Sequence, residues 1–170
     1  MRSLFAIFLT LTVFLSLVGC SSDDTPIGFQ GHQWGTPVDD LRSEFGLKFI
    51  DQDENLNTST FRTNLKEWKG IPLATCNFSF FEDKLYAVSM VAEGQERGEE
   101  LRDKLSAQYG QGHSRGRASH SWETLGTMIN YYYHDAEQTA FVDMMSTLYS
   151  ASVQKKILDM ALNTNGLENF

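Results

Sequence analysis

Between Leu73 and Met90 the sequence alternates with a period of two, and this run restricts the chain to folds containing an antiparallel sheet with one covered face. Cys76, Phe78 and Phe80 fall on one parity, and Thr75, Asn77 and Ser79 on the other. Successive side chains of a strand point to opposite faces, so the segment buries one face and leaves the other wet. Glu82-Asp83 supplies a turn, after which Tyr86, Val88 and Met90 carry the apolar parity back along a second strand. A half-wet hairpin needs a covering layer, and helices elsewhere in the chain must provide it.

Three segments have the period of helices. Thr36-Pro37-Val38-Asp39-Asp40 opens the first, with Thr36 expected as N-cap, Pro37 in the first turn and two acids near the positive end of the dipole. Val38, Leu41 and Phe45 make one stripe, and Gly46 ends it. The second, about 96–109, sets Leu101, Leu105 and Tyr109 on one side and a Glu100/Lys104 pair outside, and ends at Gly110. The third, 151–162, is expected to bury Val153, Ile157, Met160 and Ala161. Strands are expected at about 119–124, 127–134 and 138–149. The polar stretch 51–60 reads as an exposed loop, with strands resuming around Phe61 and Trp68.

These elements make a faint repeat. Phe45-Gly46 and Tyr109-Gly110 each end a helix, a Trp follows each (Trp68, Trp122), and an aromatic stands ten residues beyond each Trp, at Phe78 and Tyr132. The expected fold is α+β: an antiparallel sheet with helices packed on one face, built from two helix-plus-three-strand units.

The N-terminus carries an address. Arg2 precedes an apolar run of about 15 residues, Leu4 to Val18, which ends at Gly19-Cys20-Ser21-Ser22-Asp23-Asp24. A membrane-spanning helix needs roughly 20 apolar residues, so this run reads as a secretory signal. Leu17-Val18-Gly19-Cys20 resembles the lipobox of bacterial lipoproteins, which implies cleavage before Cys20 and a diacylglyceryl thioether on its sulfur. The expected organisation is a signal peptide over 1–19, a lipidated tether over 20–26, one domain over 27–162 and a tail over 163–170. Under the enterobacterial sorting rule Ser21 favours the outer membrane, with the domain facing the periplasm.

Removing residues 1–19 takes away one Arg and no acid, leaving 13 basic and 22 acidic residues and a formal charge of −9. That balance argues against nucleic-acid binding, which depends on a concentrated basic face. Once Cys20 is modified, Cys76 is the remaining thiol; on the parity of Phe78 and Phe80 it is expected to be buried and inert. The sequence has no Gly-rich phosphate loop, no HExxH helix and no CxxC pair, and His113, His120, His134 and Asp135 lack the short spacing of a metal site. No cofactor or metal is expected. Two features point to surface contacts: the basic stretch Gln111 to Ala118, with Arg115 and Arg117, and Tyr131-Tyr132-Tyr133, which places aromatics on both faces of one strand. Tyr131, Tyr133, Arg115 and Arg117 are the candidate partner-contact residues.

The lipobox, the short polar tether and the segment Gly31 to Gly46, in which Gly35-Thr36-Pro37-Val38 opens a helix ending in Phe45-Gly46, resemble the SmpA/OmlA group of small outer-membrane lipoproteins. The match covers about 30 residues. It implies helices against a small antiparallel sheet and a non-enzymatic role in envelope assembly, and it transfers no functional residue. The expected function is a membrane-anchored binding or scaffold lipoprotein whose partner is an envelope protein. The alternatives are an inhibitor of a periplasmic or host enzyme, and an envelope hydrolase whose His and acid residues meet only in the fold.

Overall fold

A computed structural model describes residues 28–116 and 118–165. The signal, Cys20 and the tether, Arg117 and the last five residues of the expected tail lie outside the described residues. Strands β1 (Gly28–Phe29) and β2 (His32–Gln33) form a small hairpin ahead of α1 (Val38–Arg42). Next come β3 (Lys48–Asp53), β4 (Thr58–Arg62), the hairpin of β5 (Glu67–Trp68) and β6 (Ile71–Pro72), β7 (Thr75–Phe81) and β8 (Lys84–Glu93). Helix α2 (Gln95–Tyr109) leads to β9 (His113–Ser114), β10 (Ser119–Thr124), β11 (Thr127–His134), β12 (Thr139–Ser146) and α3 (Thr147–Asn165).

The fold is α+β, with an antiparallel eight-stranded sheet in the order β3-β4-β7-β8-β12-β11-β10-β9. Each half of the chain runs as a helix followed by a four-strand meander, and the halves join where β8 pairs with β12, with Ser89 opposite Asp143 near the middle. Four strands per half, where three were expected, come from two segments: β9 lies within the basic stretch 111–118, and β3 and β4 take up the polar stretch 51–60. Residues 51–60 are not a loop: β3 and β4 form a hairpin whose turn is 54–57. The segment is polar because β3 is the outer edge strand, exposed at all six positions. Polarity from an unpaired edge looks the same in sequence as polarity from a loop. A bulge at Ile50, with Lys48, Asp51 and Asp53 along the strand, blunts that edge against pairing with another chain.

The covered face carries Phe61, Cys76, Phe78, Phe80, Leu85, Val88, Met90, Ile129, Tyr131, Val142 and Met144, which form one core cluster with Val38 and Leu41 of α1 and Leu101 and Leu105 of α2. Phe78 meets Phe29 edge-on at 5.6 Å and Phe45 at 4.8 Å. Tyr86 does not share the inward parity of Val88. A register shift beside Phe80 makes it the bulged residue, so Leu85 turns inward and is fully buried.

Thr36 does not cap α1. Its hydroxyl donates to Gln33 O at 2.7 Å, Pro37 occupies the cap position, and the first helical N–H, on Val38, donates to Asp83 O in the β7–β8 turn at 2.9 Å. A backbone carbonyl from the sheet thus does the work assigned to a local side chain. Trp68 and Trp122 are not equivalent either: Trp68 lies in the side hairpin and Trp122 in β10 of the main sheet. Phe78 and Tyr132 occupy the third strand of each half but opposite faces, Phe78 buried and Tyr132 49% exposed. Helix α3 begins four residues before the expected start, because β12 stops at Ser146. Between 151 and 162, Val153, Lys156 and Met160 are half-buried, whereas Ile157 at 47% and Ala161 are exposed, against expectation.

Cys76 is 1% exposed, and burial pushes its thiol up to about 11, with Thr63 acting in the opposite direction. Between pH 9 and pH 11 the unfolded thiol loses its proton while the folded one keeps it. Its contribution to stability is therefore full below pH 9 and declines by about 2–3 kcal/mol as pH rises through 11. Urea unfolding across this range should show that decline in wild type and a flatter profile in Cys76→Ala; the folded protein should label with thiol reagents only slowly. Rapid labelling of native protein would show an exposed thiol.

Candidate functional site

The face of the sheet opposite α1 and α2 is the candidate functional surface, and strand register determines its contents. One cross-strand row runs through all eight strands: Lys48, Arg62, Asn77, Ser89, Asp143, Asn130, Ser121 and His113. From Arg62 to Ser121 these residues are polar because their strand neighbours point to the covered face; Lys48 and His113 stand on the exposed edge strands. Ser89 Oγ donates to Asp143 Oδ1 at 2.6 Å at the centre, and Arg62 Nε donates to Asn77 Oδ1 at 3.4 Å toward the edge. Apolar rows flank this ladder. On one side Val91, Phe141 and Tyr132 stand in register, and on the other Ala87, Met145 and Met128. The six are partly or well exposed. A polar track between two apolar strips can fix register through hydrogen bonds while burying aromatic and sulfur surface.

The expected contact residues are rearranged by this geometry. Tyr131 lies on the covered face at 2% exposure, its hydroxyl donates to Gly98 O of α2 at 3.1 Å, and burial pushes its pKa up to about 12. It anchors α2 to the sheet and is not available to a partner, which corrects its selection. Tyr133 shares that parity and is half-buried, its ring lying where a Cβ on Gly98 would come within 3.0 Å. Helix α2 can sit this close only because Gly98 has no side chain. Tyr132, between them, is the tyrosine that looks outward. The tripeptide required at least one outward ring, and the β10–β11 register decided which one.

Arg115 is exposed at the tip joining β9 to β10, where its N–H donates to Ser119 O at 2.8 Å and Ser114 Oγ donates to Gly116 O at 2.9 Å. The histidines are dispersed. His113 is at the edge of the outer face, while His120 faces inward, stacked on Trp122 at 5.9 Å and edge-on to Tyr131 at 6.0 Å. Burial holds the His120 imidazole below its usual pKa, the Arg102 cation adds to the effect, and Asp103 opposes it. His134 Nδ1 lies 3.8 Å from Glu137 Oε2 on the surface, with both side chains well exposed. Among the described residues no three His, Cys, Asp or Glu are placed to hold a metal ion. The outer-face ladder could have been found by reading the polar parities of all strands together, but its composition depended on register, which no single strand reveals.

No protein-family model matches this sequence, and no curated protein matches it. Among solved structures it is similar to a cysteine-rich secretory protein from Staphylococcus aureus, at 10% identity and a TM-score of 0.44, over 68% of this chain and 44% of that one. The chain thus spans less than half the length of that protein. It is also similar to YjgB, a DUF4309 family protein from Bacillus subtilis, at 14% identity and a TM-score of 0.44, over 69% of this chain and 84% of that one.

Proposed function

We propose that this chain is an exported lipoprotein, held on a membrane of the cell envelope through Cys20, whose domain binds another envelope protein through the outer face of its sheet. The observation that carries the binding half is the outward row Val91-Phe141-Tyr132 beside the Ser89–Asp143 ladder. Exposed aromatic surface of this kind is typical of contact cores. The lipobox residues Leu17 to Cys20 and the resemblance of Gly31 to Gly46 to small outer-membrane lipoproteins support the address and the non-enzymatic role. With Ser21 after the cysteine, the outer membrane is the proposed location and the periplasm the compartment the domain faces. A formal charge of −9 on the mature chain points to protein, not nucleic acid, as the partner.

The test is site-specific photo-crosslinking in the native envelope. A photoreactive residue at Tyr132 or at Phe141 should give the same discrete adduct, and one at Glu100 on the solvent side of α2 should not. Equal adducts from all three positions would defeat the reading. A second reading, an inhibitor that inserts the β9–β10 tip into an enzyme, is favoured by the exposure of Arg115 on a hydrogen-bonded tip. Adducts confined to Arg115 would select it.

A further inference from the structure

A second surface feature lies away from the outer-face ladder, where the covered side of the sheet runs out past α1. A cavity of about 450 Å³ is lined there by Phe49, Phe61, Gln52, Ser59, Glu82 and Asp83, beside the turn at Asn57. This is within the usual size of a small-ligand site. Phe49 and Phe61 meet edge to face at 5.6 Å, and the Phe49 ring is 59% exposed although it stands in register with a core residue. An exposed ring with a fixed neighbour is a preformed flat platform.

Charges of both signs border the cavity. Glu82 and Asp83 line it, Arg42 lies with its guanidinium 5.5 Å over the Phe61 ring while its Nε donates to Asp39 Oδ1 at 3.4 Å, and Lys156 of α3 reaches the turn at Asn57. With the Asn57 amide oriented to donate to Glu54 O, its oxygen accepts from Lys156 Nζ at 2.9 Å. An anion would meet two carboxylates, and a cation would compete with two resident ones. What remains is an aromatic platform rimmed by an amide, a hydroxyl and carboxylates. An amide and a hydroxyl can each donate and accept, as the hydroxyls of a polyol require.

We infer that this cavity binds a neutral saccharide, with the C–H face of one pyranose ring on Phe49 and its hydroxyls bonded by Gln52, Ser59 and Glu82. Neither membrane attachment nor use of the outer face is needed for this, so the test stands apart from both. The full mature chain, carrying Cys20→Ala to keep it in solution, is titrated with chitotetraose, maltotetraose and cellotetraose while backbone amide resonances are followed. At least one sugar should give saturable shifts at Gln52, Asn57, Ser59 and Glu82. Phe49→Ala should weaken that binding about tenfold or more without altering the unfolding transition, since the ring is mostly exposed. Should Phe49→Ala disturb folding, Gln52→Ala on the same exposed strand serves in its place. Absence of saturable shifts with all three sugars at about 10 mM overturns the inference. So does saturable binding indifferent to both substitutions, or a response to tetralysine in place of the sugars.

Discussion

Trp122→Ala will destabilise the domain by about 4 kcal/mol, because it removes a buried indole that also closes the end of a helix. Trp122 is 2% exposed, stacks on His120, and its indole N–H donates to Gly110 O at 2.8 Å, just past the C-terminus of α2. Gly110 leaves the helix at φ 83°, so a carbonyl at this exit has no helical partner and relies on the indole. Truncation opens a cavity under α2 and removes the donor to that carbonyl, a hydrogen bond that contributes about 0.5–1.5 kcal/mol. Trp122→Phe keeps most of the volume and loses only the donor, so it should cost about 1–2 kcal/mol. For a domain of this size, Trp122→Ala should lower the melting temperature by about 8–16 °C. Urea unfolding followed by circular dichroism checks both values. Equal losses for Ala and Phe would mean that the hydrogen bond, not packing, dominates; no loss for either would refute the placement of the indole.

Cys20→Ala will abolish acylation and, with it, stable membrane association of the mature domain. Each buried methylene contributes about 0.8 kcal/mol, and two chains together hold a protein on a bilayer where one chain is marginal. Nothing electrostatic in the mature chain can substitute, since its formal charge of −9 is repelled by anionic headgroups. Intact mass and palmitate labelling should show acyl chains on wild type and none on the variant. Exported behind an ordinary cleavable signal, the variant domain should fractionate with soluble protein. A variant that sediments with membranes as wild type does, together with a wild type lacking acyl mass, would rule out the lipoprotein address.

The strands at 119–124 and 127–134 and the helix at 95–109 could be read from the sequence because each has a strong local period and a local stop signal. Gly110 ends α2 and Gly126 turns β10 into β11, both at positive φ that other residues resist. Local pattern and structure differ where a neighbour distant in sequence supplies what the local pattern lacks. Thr36 has the chemistry of a cap, but a carbonyl of the β7–β8 turn does that work. Tyr86 has the spacing of an inward residue, but a bulge against Phe80 inverts its parity. The stretch 51–60 resembles a loop because an edge strand exposed on both faces carries no alternation. The tyrosine tripeptide shows that its rings alternate without showing that α2 covers the parity of Tyr131.

By itself, the sequence determined the period of the central strands and the positions of the main turns. It also carries the acidity of residues 20–170 and the segment Leu17 to Cys20 that resembles a lipobox, since each is a property of near neighbours or of composition. Only the tertiary structure decided that β8 and β12 join two four-strand meanders, that the polar parities of eight strands line up as one track, and that Tyr132 is the outward ring. Those outcomes depend on hydrogen-bond register between residues more than 50 positions apart, such as Ser89 and Asp143. A one-residue slip in that register would exchange the two faces of the strand. The difference between core and contact surface is therefore made by pairing across the sheet, which local alternation constrains but cannot choose.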